Sequence, residues 1–210
     1  MILIINAGNR SLFSSELIEM HRQRKVVFVD RQGWNVPVVG GLEIDDYDGE
    51  DTTYLIAKSD ANSAEVLASA RLLPTVRPHL MADLFLAACG GTAPSGPSIW
   101  EVSRFCVNPA IVKRRKRVEL LWEMTCAVME TTLLYGIEKV TFVANAALLP
   151  LAMECGWSAA RLGPTLPDGD DEITAVVASI TPEGLRAVRG RLGINGPVTR
   201  FPLPAAKIAA

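Results

Sequence analysis

The chain has 210 residues, with 21 Lys and Arg against 23 Asp and Glu, for a formal net charge of -2. That length gives one domain room for a full core, and 49% apolar residues exclude a disordered chain. The near-neutral balance excludes an overall field that would gather nucleic acid or a membrane surface. Cys89, Cys106, Cys126 and Cys155 show no close-paired metal spacing. Their apolar settings read as free, buried thiols in a reducing compartment. With only His21 and His79, histidine-based metal sites and triads are not expected. The apolar start, residues 1–5, is too short for a signal peptide or a membrane span, so a cytoplasmic protein is expected.

Residues 2–5 predict a first strand. Residues 11–28 predict a helix capped by Ser14 or Ser15, with Leu17, Met20 or His21, Arg24 and Phe28 on one stripe. Trp34 follows a turn. An arginine and a phenylalanine one turn apart, then a tryptophan, fit either core with a snorkelling arginine or the wall of a pocket for a flat, polar ligand. From this segment alone, core is preferred. The acidic run containing Glu43, Asp45, Asp46, Asp48, Glu50 and Asp51 reads as a solvated loop, or as a cation site with Asp45 and Asp48 converging across a turn. EF-hand spacing is missing. Residues 53–58 and 65–72 predict two strands of a hairpin linked through 60–63. Residues 78–89 predict a helix with Leu80, Leu84, Phe85 and Ala88 inward, stopped at Gly90.

The stretch 99–107, IWEVSRFCV, alternates like a buried strand yet carries Glu101, Ser103 and Arg104 within four positions. In a regular strand Glu101, Ser103 and Phe105 share one face; Trp100, Val102, Arg104 and Cys106 share the other. Buried carboxylates and guanidiniums need partners. The stretch therefore reads either as a structural ion pair or as a catalytic strand with Glu101 as base.

Next comes a basic run, Lys113, Arg114, Arg115, Lys116 and Arg117, opening a helix to about 135. Val118, Leu121, Trp122, Thr125, Val128, Met129 and Thr132 form its expected inner stripe. Five cations oppose the positive end of the helix dipole. They suit a phosphate-bearing ligand, or else form a solvated patch. Residues 137–144 predict a strand with Thr141 and Val143 on one face. A short helix over 146–155, strands over 157–162 and 172–180, and a last helix from Pro182 complete the chain. The tail from about 196 is expected to be loosely held. No repeat or second domain interrupts residues 1–210.

Arg24, Phe28, Trp34, Asp45, Asp48, Arg71, Glu101, Ser103 and Arg104, set in RQRKVVFVDRQGW, EIDDYD, ARLLPT and EVSRFCV, resemble the acyl-homoserine-lactone synthases in order and spacing. These form the autoinducer synthase family of bacterial quorum sensing. The resemblance covers most of the chain and is clearest through residue 107. It implies an α/β fold similar to the GCN5-related N-acetyltransferases: a three-layer α-β-α sandwich whose mixed central sheet opens a cleft where central strands splay.

The implied reaction joins S-adenosylmethionine to an acyl thioester of acyl carrier protein or coenzyme A. N-acylation is followed by lactone closure and release of methylthioadenosine, with no cofactor or metal beyond the substrates. Glu101, Ser103 and Arg104 are the implied catalytic group, with backbone amides near a bulge in their strand as an oxyanion site and Arg104 holding down the proton affinity of Glu101. Arg24, Phe28, Trp34, Asp45, Asp48, Arg71 and Phe105 form the S-adenosylmethionine pocket and its network. Residues 113–117 meet the acyl donor, and Thr141 and Val143 line an acyl pocket.

The Met-Glu-Arg signature of many members is absent from LLPLAMEC, which weakens inference about carrier-protein docking there. One alternative is another N-acyltransferase of the same fold, but it leaves Arg24, Phe28, Trp34 and the acidic pair unexplained, and the coenzyme A turn has no glycine here. Another is a nucleic-acid-binding module using residues 113–117. A single basic patch on a net-acidic chain supports that thinly.

Overall fold

The structure is a computed structural model that describes residues 1–60, 63 and 65–203. Its centre is a sheet of strands β1 (Ile2–Ile5), β4 (Thr53–Lys58), β5 (Val66–Pro74), β6 (Ile99–Val107), β7 (Lys139–Asn145), β8 (Ser158–Arg161), β9 (Leu166–Asp168), β10 (Asp171–Ser179) and β11 (Thr199–Arg200). The spatial order is β11-β1-β4-β5-β6-β7-β10-β8, with β9 also on β10. β6 and β7 run parallel, as do β1 and β11; the remaining neighbours are antiparallel. The mixed sheet expected from the sequence is present. A separate hairpin pairs β2 (Val38–Val39) with β3 (Leu42–Glu43).

The two-residue period of the strands feeds a core on each face. Ile2, Ile4, Leu55, Ala57, Trp100 and Val102 turn to one side. There they meet helix α3 (Arg114–Leu134) and helix α5 (Pro182–Leu192). Leu3, Ile5, Tyr54 and Ile56 turn to the other, against Met20 of helix α1 (Ser14–Arg24). Helix α2 (Leu80–Asp83) and a 3-10 turn (Leu86–Cys89) cover the same sheet further along, where Met81, Ala88 and Cys89 pack with Ala175. Helix α4 (Leu149–Glu154) starts with Pro150 in its first turn. Layers of helix on both faces give the α-β-α sandwich.

Several local expectations change. No side chain caps α1; Ser15 donates to Glu16 instead. The predicted 78–89 helix is broken in two, which leaves Leu84 64% exposed and buries Met81 in its place. In α3 Val128, Met129 and Thr132 of the expected stripe are buried, but so are Leu120, Met124, Cys126, Ala127 and Thr131, because α5 packs across a second flank. Val118 is only half-buried there. Part of the hairpin link, Ala61 and Asn62, lies outside the described residues. The tail is held firmly as far as the described residues go. β11 pairs with β1, the Glu130 carboxylate accepts from the amides of Val198 and Thr199, and Asn9 donates to the Pro202 carbonyl. All four cysteines are free and buried.

Two irregularities position the site. First, β6 and β7 pair only from Ile99–Lys139 to Glu101–Thr141, although β6 continues to Val107 and β7 to Asn145. Beyond Glu101 the two strands separate. Second, β6 carries a bulge: Ser69 pairs with Cys106 and Arg71 with Ser103, so two steps on β5 face three on β6. The extra residue is Arg104, at φ 50° the lone described non-glycine residue with positive φ. A bulge of this kind reverses the alternation downstream. Phe105 therefore turns to the Trp100 and Val102 face and packs against the α3 core. Arg104 joins the Glu101 face, contrary to the regular-strand expectation.

Candidate active site

Helix α1 does not end at Arg24. It widens into a π-helical segment, Lys25–Arg31, a form frequent at functional sites. Arg24 is 1% exposed at the junction. Phe28 is buried within the segment and stacks on Trp34, with centroids 4.8 Å apart and planes 16° apart. The Arg104 guanidinium lies 5.5 Å from each of these ring centroids, in cation–π range. Trp34 is 39% exposed. The stripe on α1 is thus core as far as Phe28, and it continues to solvent through the stacked Trp34.

The acidic loop divides: Asp46, Glu50 and Asp51 are exposed as a solvated loop would have them, whereas Glu43, Asp45 and Asp48 turn inward and meet arginines rather than a cation. Asp45 accepts from Arg71 Nη2 at 3.1 Å and Arg104 Nη2 at 2.8 Å. Asp48 takes both terminal nitrogens of Arg24 at 2.9 Å, with Arg71 Nη1 at 3.0 Å and the Tyr54 hydroxyl at 2.9 Å. Sequence reasoning missed Glu43, which is 0% exposed. It accepts from Arg24 Nε and from Arg104 Nε and Nη2, the latter two at 3.1 and 3.0 Å. Its signal was its place two residues before Asp45, on the same side of an extended segment. Three guanidiniums face three carboxylates, and the buried charges balance. Burial alone would raise the pKa of Glu43 and Asp48, but the Arg24 bonds to each win, so both carboxyls are held below their ordinary values. Arg71 also donates to Ser103 Oγ at 3.0 Å, tying β6 into the network.

Glu101 stands apart from this network. It is 2% exposed, and its Oε2 accepts from the Met81 amide at 2.7 Å. Arg104, the partner expected from sequence, is bound to Glu43 and Asp45 instead. The bulge carries its guanidinium there. Burial raises the Glu101 pKa above the ordinary carboxylate value, opposed by the amides of Met81 and Leu80 and by the charge of Arg71. A carboxyl with raised proton affinity is a stronger base than an exposed one. No residue-type signal announces a backbone donor, which is why Met81 escaped the sequence.

Thr141, the register partner of Glu101, is fully buried, and its Oγ1 has no hydrogen-bond partner among the described residues. Val143 joins an apolar cluster with Met81, Phe85, Leu162 and Ala175 on the Glu101 side. Phe105 is not brought to this side. The basic run opens α3 at the surface: Lys113, Arg114, Arg115 and Lys116 are exposed, and Arg115 and Lys116 pair with Glu119. Among the described residues no hydrogen bond or ion pair joins the run to Glu101 or to the arginine network.

Comparison with known proteins gives this geometry a family. The autoinducer synthase family model matches residues 9–188. An isovaleryl-homoserine lactone synthase of Bradyrhizobium diazoefficiens is 35% identical over 198 residues, covering 92% of this chain and 86% of that protein. An acyl-homoserine-lactone synthase of Pseudomonas aeruginosa is 30% identical over 176 residues, covering 83% and 88%. A solved coenzyme A-dependent acyl-homoserine lactone synthase, BjaI, with S-adenosylmethionine and isopentyl-CoA, superposes with a TM-score of 0.86 at 30% identity, covering 97% of this chain and 94% of its own. An N-acetyltransferase structure from Lactobacillus plantarum shares the fold at 13% identity and a TM-score of 0.56. The chain belongs to the autoinducer synthase family, the acyltransferases that make acyl-homoserine lactones for quorum sensing.

Proposed function

We propose that this protein acts as a single-domain, cytoplasmic enzyme that acylates the α-amine of S-adenosylmethionine with an acyl thioester, then closes the lactone. The observation that carries the reading is Glu101: a buried carboxyl with raised proton affinity, set where β6 and β7 separate. Glu101 takes the ammonium proton, and the free amine attacks the thioester carbonyl. Amides freed by the Arg104 bulge stabilise the oxyanion. The substrate carboxylate then attacks its own γ-carbon and methylthioadenosine leaves, a step that needs a folded-back pose more than a catalytic group.

In this reading the stacked Phe28 and Trp34 floor the S-adenosylmethionine pocket. The balanced network of Arg24, Arg71, Arg104, Glu43, Asp45 and Asp48 holds that floor to β6, with Ser103 as its link. Thr141 and Val143 face the acyl chain, and residues 113–117 attract the phosphates of the donor. Coenzyme A is favoured as donor by the BjaI structure and by the departure at LLPLAMEC. No helix among the described residues is long and apolar enough to cross a membrane. The test is purified protein with S-adenosylmethionine and a panel of acyl-coenzyme A and acyl-carrier-protein donors, read by mass spectrometry. Methylthioadenosine and an N-acyl lactone formed together support the reading. Neither product from any donor rejects it.

A further inference from the structure

We propose that His79 is a positioning residue for the acyl transfer, the acceptor that relays and stores the proton taken up by Glu101; this rests on the proposed acylation of S-adenosylmethionine. The imidazole is 3% exposed. Its Nδ1 lies 2.8 Å from the Arg77 carbonyl. A carbonyl only accepts, so the neutral ring carries its proton on Nδ1 and presents a bare lone pair at Nε2. That Nε2 is buried with no partner among the described residues, an uncommon state for a buried polar atom. His79 is also the N-cap residue of α2, and the amide two positions on, Met81, is the one that holds the Glu101 carboxylate. The ring and the carboxyl therefore flank the same turn, and a proton gained by the ring favours the carboxylate form of Glu101.

Acylation of an ammonium strips two protons from one nitrogen. The departing thiolate takes one. The other first lands on Glu101, which is too buried to release it to bulk water within the step. Transfer from the Glu101 carboxyl to Nε2, directly or through one water, restores the carboxylate and leaves an imidazolium beside it. Atoms and charge balance without any further reactant. Neither the fold nor the Met81 bond requires a histidine at this position, so the lone pair at Nε2 is the feature that the ring adds.

The test compares His79→Asn, whose amide can keep the bond to the Arg77 carbonyl but has no basic nitrogen, with the wild-type enzyme. The expected result is a kcat lower by about 10²-fold with an unchanged KM for S-adenosylmethionine and an unchanged melting temperature. In a Glu101→Gln background, the same change costs nothing further, because the relay has lost its source. A folded His79→Asn enzyme with normal kcat, or losses that multiply in the double variant, overturns the proposal. Should His79→Asn fail to fold, ¹⁵N NMR of the wild-type imidazole decides. A bare Nε2 in the neutral resting enzyme upholds the relay, and a protonated Nε2 with bare Nδ1 refutes it. A wild-type enzyme that makes no lactone from any donor is a different failure, that of the proposed function itself.

Discussion

Replacing Glu101 by Gln separates base from scaffold more cleanly than the sequence alone suggests. The Gln Oε1 can keep the 2.7 Å bond from the Met81 amide. Arg104 loses nothing, because its partners are Glu43 and Asp45. The wild-type carboxyl has its pKa raised by burial. A group with a raised folded pKa contributes most below its unfolded pKa, and that contribution is lost as pH rises through the folded value. The neutral variant escapes this loss, so Glu101→Gln is as stable as wild type in mild acid and gains relative to it as pH rises. Activity moves the other way. General-base assistance is worth about 10²–10⁴-fold, so kcat for methylthioadenosine release falls by roughly that range at neutral pH and recovers in part at high pH, where the amine loses its proton unaided. Melting curves from mild acid to mild alkali, paired with single-turnover rates, give both readouts. A folded Glu101→Gln enzyme with near-normal kcat at neutral pH refutes the assignment. A clear drop in melting temperature refutes the structural argument that Glu101 lies outside the arginine network.

Glu43→Gln has the opposite profile. It leaves three buried guanidiniums facing two carboxylates, a broken buried pair worth about 3–5 kcal/mol; at roughly 2–4 °C per kcal/mol for a chain of this size, thermal denaturation shifts down by roughly 6–20 °C. Acid does the same more broadly. Glu43 and Asp48 have depressed folded pKa values, so their contribution is present above the ordinary carboxylate range and lost as pH falls toward the folded values. Melting temperature measured from pH 7 downward is expected to hold until the ordinary range is reached and then to decline steadily. Arg114→Ala and Arg115→Ala together raise the donor KM by about two- to fivefold at low salt, in keeping with exposed charge pairs, and leave the KM for S-adenosylmethionine unchanged. A donor KM insensitive to both changes and to salt returns the run to a solvated patch.

Residue identity and local period determined a good deal by themselves. Alternating apolar residues fixed β1, β4 and the upstream half of β6, because a pleated strand between two cores leaves no other solution. The nine motif positions named the family, and all nine gather on one face of the sheet or at its rim. Pairing was another matter. Arg24, Arg71 and Arg104 each demanded a carboxylate, yet nothing in their spacing assigned Arg104 to Glu43 and Asp45 rather than to Glu101 three residues away. The assignment rests on one residue in a left-handed conformation, which sets Arg104 and Phe105 on faces opposite to those a regular strand predicts. Helix α2 broke after one turn, and so a backbone amide, which has no residue signature, became the partner of Glu101. Charge type is written in the chain. Which charge meets which depends on a bulge, a splayed strand pair and a short helix, all decided by contacts between segments far apart in sequence.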